Sequence, residues 1–106
     1  MLRRLRSLFP LARYAVAGES MTPALSPGER VLVNRAAYWR VPPKAGDVVV
    51  VRDPRERDRL LIKRIDAPAG DDAWLVRGDN AIASTDSRAF GPVGRELVVG
   101  KVLVRY

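Results

Sequence analysis

Ser20 sits in Gly18-Glu19-Ser20-Met21-Thr22-Pro23, between a predicted strand at residues 13–17 and a proline-containing turn. A serine hydroxyl attacks a carbonyl only when a nearby base takes its proton. The chain contains no histidine and no cysteine. That excludes a Ser-His-Asp triad, a thiol nucleophile, His-ligated metals, Cys-rich zinc sites and a disulfide framework. The base must come from another residue class. Lys63 lies in the apolar run Leu60-Leu61-Ile62-Lys63-Arg64-Ile65, in a chain that uses 16 arginines but only three lysines, Lys44, Lys63 and Lys101. Arginine cannot be deprotonated at usable pH, so it cannot replace lysine as a base. On a strand, Lys63 shares a face with Leu61 and Ile65. Burial on that face disfavours the ammonium form, and a lysine tuned to about 7–8 serves as a general base near neutrality.

Each residue also has a plainer reading. A strand lysine more often packs its stem on the sheet and sends its head to water. A serine before a turn is usually only a turn former. Around Ser20, Gly18 lets a substrate backbone approach closely, and Pro23 holds Thr22 extended. Met21 reads as a core or pocket-wall residue. A third element, Gly78-Asp79-Asn80 through Ser84-Thr85-Asp86-Ser87-Arg88, belongs to a long polar loop expected over 78–94. Loops of that length in small domains are often functional. Its hydroxyls and carboxylates suit orienting an amine or pairing with arginine, and equally suit a loop held by its own Asx-type turns.

The elements that must position these residues are short strands between turns. At 106 residues and 47% hydrophobic composition the chain is one globular domain. Strands are expected at 30–34, 48–52, 60–66, 73–77 and 97–105, with a bulge at Gly100. A polar loop is expected at 53–59 and a short helical turn near 35–39. With the strand at 13–17 this makes six, which implies an all-β fold, a small curled antiparallel sheet or partial barrel. The net charge is +7, and residues 1–13 hold Arg3, Arg4, Arg6 and Arg13 with no acid. Residues 1–12 therefore read as a basic N-terminal tail with a helical stripe of Leu2, Leu5, Leu8 and Phe9 ending at Pro10, and residues 13–106 as the core. The tail is a candidate for weak peripheral contact with anionic lipid, beside the plainer reading of a solvated terminus. No segment approaches the roughly 20 apolar residues of a membrane-spanning helix, so the expected location is the cytoplasm, with peripheral membrane association as its extension.

Taken in order, these stretches resemble the signal peptidase I family of serine–lysine peptidases. Gly18 to Leu25 resembles the nucleophile box, Gly46-Asp47-Val48-Val49-Val50 the second strand box, Lys63-Arg64-Ile65 with Gly70-Asp71 the lysine box, and Gly78-Asp79-Asn80 through Arg88 the last box. The resemblance implies an all-β peptidase core with Ser20 as nucleophile, Lys63 as general base and Ser84 orienting the lysine. Asp86 and Arg88 would support Ser84, with Arg64 and Asp79 as a second supporting pair. Gly18, Ser20 and Met21 would form the oxyanion and substrate edge. No cofactor and no metal are implied, and the partner is a precursor polypeptide bound as an extended strand.

Three features depart from the larger members. No spanning helix and no accessory β insert are seen, and Gly18 stands where some members carry an oxyanion-binding hydroxyl, leaving backbone N–H groups for that task. The short form and the wording around Ala83 to Pro92 most resemble the nickel-type superoxide dismutase maturation proteases. Other readings stand beside this one: a signal-peptide-processing enzyme at the membrane surface, a self-cleaving peptidase of the repressor type, and a basic non-enzymatic β-barrel binding module. The last has no aromatic stacking motif to support it, and nucleic acid is not the expected partner.

Overall fold

The computed structural model describes residues 2–80 and 90–106, with residues 3–8 described for their backbone alone. Eight strands follow one another: β1 (Leu2–Leu8), β2 (Leu11–Val16), β3 (Arg30–Asn34), β4 (Val48–Asp53), β5 (Glu56–Pro68), β6 (Ala73–Arg77), β7 (Val93–Gly94) and β8 (Val98–Arg105). A 3₁₀ turn, Arg95–Leu97, leads into β8. They form a single antiparallel sheet in the order β1-β2-β3-β8-β4-β5-β6-β7. The last strand is thus inserted between β3 and β4. The sheet curls until β1 touches β5 without closing, so the expected all-β, curled, open architecture is the one observed.

Curling gives the sheet two apolar cores. One gathers Tyr14, Val16, Met21, Leu25, Val31, Val33, Val50 and Ile62. The other gathers Val49, Val51, Leu61, Ile65, Trp74, Val76, Val93 and Leu97. The period-2 side-chain alternation explains the split: on β4 and β5, the paired residues Val50 and Ile62 face the first core, while Val51 and Leu61 face the second.

The sequence-based bounds hold at β3 and β6, where apolar runs are flanked by turn residues. Gly100 lies beside the expected bulge: its partner is Val50, while Val51 already pairs with Val98. A Cβ at Gly100 would stand 2.6 Å from the Asn34 carbonyl oxygen, so only glycine lets β3 and β8 approach this closely. Near 35–39 the chain makes turns with Ala37 N–H donating to Asn34 O and Trp39 N–H to Ala36 O, in place of a helix.

Three expectations are corrected. The stretch read as a helical tail is strand β1, paired with β2 from Leu2↔Val16 to Leu8↔Leu11. Its leucines fall three apart, but an isolated turn or two of helix is unstable on its own, whereas the ladder to β2 pairs the inward-pointing backbone groups of this edge strand and ties it to the sheet. β2 starts at Leu11 and so straddles the limit expected between tail and core. The polar loop at 53–59 is a hairpin turn at Pro54 and Arg55 followed by the exposed start of β5, with a register shift between Arg52 and Asp53. The loop at 78–94 ends in β7, which pairs with the start of β6.

Candidate active site

Ser20 begins a run of turns directly after β2. Gly18 adopts φ 84°, a left-handed conformation that glycine takes without a Cβ clash, and so turns the chain away from the sheet. Within the turn, Thr22 N–H donates to Glu19 O at 3.1 Å and Leu25 N–H to Met21 O at 2.9 Å. Met21 is fully buried in the first core and anchors the turn. The reading of Met21 as a core or wall residue agrees with that position. Ser20 is half-buried and Gly18 is exposed, so the edge of the turn is open to solvent. Thr22 Oγ1 is buried with no hydrogen-bond partner among the described residues.

Lys63 lies in the middle of β5, opposite Val49 of β4, and is 2% exposed. Its stem takes the face of Leu61 and Ile65, and its head does not reach water as a snorkelling lysine would. Asp53 is the other charged residue buried to this degree among the described residues.

Three segments distant in sequence are tied into one junction. Arg64, next to Lys63, forms a two-pronged ion pair with Asp79, Nε to Oδ1 at 2.8 Å and Nη2 to Oδ2 at 2.7 Å. The hydrogen bonds from Arg64 hold the Asp79 carboxyl below the usual carboxylate range. Asn80 N–H donates to Ser20 O at 2.8 Å, and Asp79 N–H reaches Met21 Sδ at 3.5 Å. The Ser20 turn, the Lys63 strand and the start of the 78–88 stretch therefore meet at one place. Arg64 and Asp79 are thus joined as an ion pair. Ser84, Asp86 and Arg88 lie outside the described residues.

Sequence reasoning missed the brace beneath the lysine strand. Arg64 Nη1 also donates to Gly46 O at 2.9 Å. Gly46 N–H donates to Ile65 O and Ile65 N–H to Asp47 O, which lock the entry of β4 onto β5 just past Lys63. The Asp47 carboxylate accepts from Tyr38 Oη at 2.8 Å and from Lys44 N–H at 3.1 Å, and Lys101 Nζ stands 3.7 Å away. Burial first, then the bond to Asp47, pushes the Tyr38 phenol far above its ordinary range, so it stays a donor. The one sequence signal for this brace was Gly46-Asp47 at the head of a valine run. Among the described residues, no group of three or more His, Cys, Asp or Glu could hold a metal ion.

The family model described as signal peptidase, peptidase S26, matches residues 4–75 and 71–106. The chain belongs to that family. Subunit 1a of the mitochondrial ATP-independent inner membrane protease of Arabidopsis thaliana is 38% identical over 112 residues, covering 85% of this chain and 67% of that protein. Subunit 2 of the mitochondrial inner membrane protease of Schizosaccharomyces pombe is 32% identical over 110 residues, covering 83% of this chain and 60% of that protein. Signal peptidase IB of Staphylococcus aureus is 27% identical over 152 residues, covering 92% and 78%. The chain thus spans 60% to 67% of the first two relatives. None of these three names mentions a superoxide dismutase. No helix among the described residues is long and apolar enough to cross a membrane. The peptidase S26 match begins at residue 4, inside β1, so the stretch read as a tail carries part of the family pattern.

Proposed function

We propose that this chain is a serine endopeptidase with a Ser20–Lys63 dyad that removes an N-terminal extension from a precursor protein. The observation that carries the reading is a nearly fully buried lysine on a strand braced to the same junction as an open serine turn. Burial favours the neutral amine. In the resting enzyme the amine takes the Ser20 proton as Oγ attacks the scissile carbonyl. The resulting ammonium protonates the leaving amine as the C–N bond breaks. The same lysine then takes a proton from water, whose oxygen attacks the acyl-enzyme; as the ester C–O bond breaks, the ammonium returns that proton to Ser20 Oγ, which releases the acid and restores the free serine and the neutral amine. The Ser20 N–H, which has no acceptor among the described residues, is the oxyanion donor. Ser84 orients the amine, with Asp86 and Arg88 supporting it. The precursor binds as an extended strand along the open edge at Gly18 and Ser20, with Met21 buried behind that edge as its wall.

Ser20→Ala, Lys63→Ala and Lys63→Arg are each expected to lower cleavage by at least ~10³-fold with an unchanged circular dichroism spectrum. Wild-type turnover by either lysine variant would sink the dyad. Two precursor classes follow from different observations. The wording around Ala83 to Pro92 favours a nickel-type superoxide dismutase precursor, whereas the names of the relatives favour a signal-peptide-bearing preprotein. Incubation with one of each, followed by mass spectrometry of the new N-termini, separates them. Cleavage of neither overturns the precursor reading.

A further inference from the structure

β8 lies between β3 and β4, so the connection from β3 to β4 has to cross it. Asn34 at the end of β3 and Val49 near the start of β4 both pair with Lys101, so the crossing passes the first half of β8. Residues 35–47 make that crossing, and beside them is a cleft of about 360 Å³ lined in part by Val98 and Val99. That volume is at the small end of the range for small-molecule sites, roughly 300–1,000 Å³. No lining residue belongs to the junction of Ser20, Lys63, Arg64 and Asp79.

The walls of this cleft are tied together before any ligand arrives. Tyr38 Oη donates to Asp47 across the crossing at 2.8 Å, and Pro43 between them is buried. Arg95 reaches in from the 3₁₀ turn before β8. Its Nε donates to Asp72 Oδ1 at 2.6 Å, its Nη1 donates to Tyr38 O at 3.0 Å, and its guanidinium lies 5.5 Å from the centre of the Trp74 ring. Arg95 is therefore engaged with the protein: Asp72 meets its charge, and it ties the crossing to the start of β6. Arg35 lines the same cleft and is not engaged in that way. It is half-buried, its guanidinium lies 6.0 Å from the centre of the Phe9 ring, and no carboxylate pairs with it among the described residues. Trp39 also lines the cleft while 68% exposed, and its ring stacks on Phe9 with centres 5.4 Å apart. The Phe9 ring thus steadies both an unpaired guanidinium and an open indole.

We propose that this cleft is a binding site for an aromatic carboxylate. A guanidinium presents parallel N–H groups that match one carboxylate in a two-pronged contact. With Arg95 neutralised by Asp72, the open fork is that of Arg35, which suits a single negative charge and leaves a pyrophosphate group short of partners. Trp39, Trp74, Pro43 and the two valines offer apolar surface to a flat ring. Walls fixed in advance lower the ordering cost of binding. The same chemistry comes from two sources, a small free acid or the end of a polypeptide whose last side chain is aromatic. The inference does not depend on the peptidase reading, because it uses neither Ser20 nor Lys63.

The test is titration of the full chain with phenylacetate, followed by proton–nitrogen NMR. The chain has two tryptophans, and both line the cleft. Both indole N–H signals should move and saturate along one curve. Acetate lacks the ring and phenylacetamide lacks the charge, so each should bind at least about tenfold more weakly. These two probes test the proposal on the unaltered protein, whatever a substitution does to folding. Arg35→Gln should weaken phenylacetate about tenfold, and Arg35→Lys less, since it keeps the charge and loses the fork. Trp39→Ala should weaken it too, read on the Trp74 signal. Triglycyl-phenylalanine with a free C-terminus distinguishes the sources: tighter binding than phenylacetate assigns the site to a polypeptide end, equal or weaker binding to a small acid. Its C-terminal amide should not bind. Indole signals that stay in place, phenylacetamide binding as tightly as phenylacetate, or unchanged binding by Arg35→Gln would each overturn the proposal. So would inorganic pyrophosphate that displaces phenylacetate at a lower concentration than phenylacetate itself needs.

Discussion

Two arginine–aspartate forks of the same chemistry hold two different regions of this molecule. At the β4–β5 turn, Arg55 meets Asp53, with Nε to Oδ1 at 3.1 Å and Nη2 to Oδ2 at 3.0 Å, across two residues of chain. Behind the Ser20 turn, Arg64 meets Asp79 at 2.8 and 2.7 Å, across 15 residues. The first fork joins groups that the unfolded chain already keeps close, so it closes little new loop. The second brings together β5 and the end of β6, and through Asn80 and Met21 it reaches the serine turn. Loop closure costs more as the loop lengthens, so the long-range fork has more to hold. Identical bonds thus do different jobs, and the sequence separation they span decides which.

Breaking the long-range fork should have the largest effect. Asp79→Ala removes two charge-assisted hydrogen bonds from a guanidinium whose side chain is 26% exposed. The expected loss is about 2 kcal/mol of stability, visible as a lower thermal midpoint. Cleavage should fall by more than about tenfold even well below that midpoint, because a small misplacement of a nucleophile costs orders of magnitude. Asp79→Asn keeps the shape of the loop and should retain more activity than Asp79→Ala. Equal activity in wild type and Asp79→Ala would show that the fork supports the fold and leaves the serine turn alone.

Elimination made Lys63 a candidate base and left Ser20 a serine before a turn; it was the four boxes in order, through their resemblance to the signal peptidase I family, that singled the two out. The sequence showed β3 and β6 because their apolar runs end in turn residues. It hid β1, because leucines at 2, 5 and 8 match helical spacing, and strand pairing with β2 is a tertiary fact. It hid the first part of β5, because residues 56–59 are charged and exposed and carry no apolar alternation. The bonds from Asn80 to Ser20 and from Asp79 to Met21 span about sixty residues and leave no local trace. The gathering of basic residues on and around β1, β2, β3 and β8 was half legible. Arginines at 3, 4, 6 and 13 stood out together, but those at 30, 35, 40 and 105 joined them only through the strand order.

Acid should reach both forks. The hydrogen bonds from Arg64 are the first cause of the lowered Asp79 carboxyl, and those from Arg55 the first cause of the lowered Asp53 carboxyl. A carboxyl held below its unfolded value of about 3.9 contributes stability that is fully present above that pH. The contribution is lost as pH falls through the folded value. Stability measured by urea unfolding should therefore be flat from neutrality down to about pH 5 on account of these two groups, and fall below about pH 4. Asp79→Asn should make that acid limb shallower, and the double variant Asp53→Asn, Asp79→Asn shallower still. An acid limb identical in wild type and double variant would mean that other carboxylates set it.

The local fork should give the smallest effect. Asp53 is 1% exposed, but its partner Arg55 is half exposed and also lies over the Phe90 ring at 5.4 Å. In Asp53→Asn the side-chain oxygen can still accept from Arg55 N–H, the bond that shapes the turn at 2.8 Å. What disappears is the charge and one prong of the fork, so the cost should be about 1 kcal/mol. Cleavage should stay at the wild-type rate, because nothing in this turn touches the serine junction. Asp53→Ala should cost more than Asp53→Asn, since it also leaves the Arg55 N–H without its acceptor. If Asp53→Asn lowered cleavage as far as Asp79→Asn does, sequence separation would not be what distinguishes the two forks. The β4–β5 hairpin would then have to be read as part of the substrate edge.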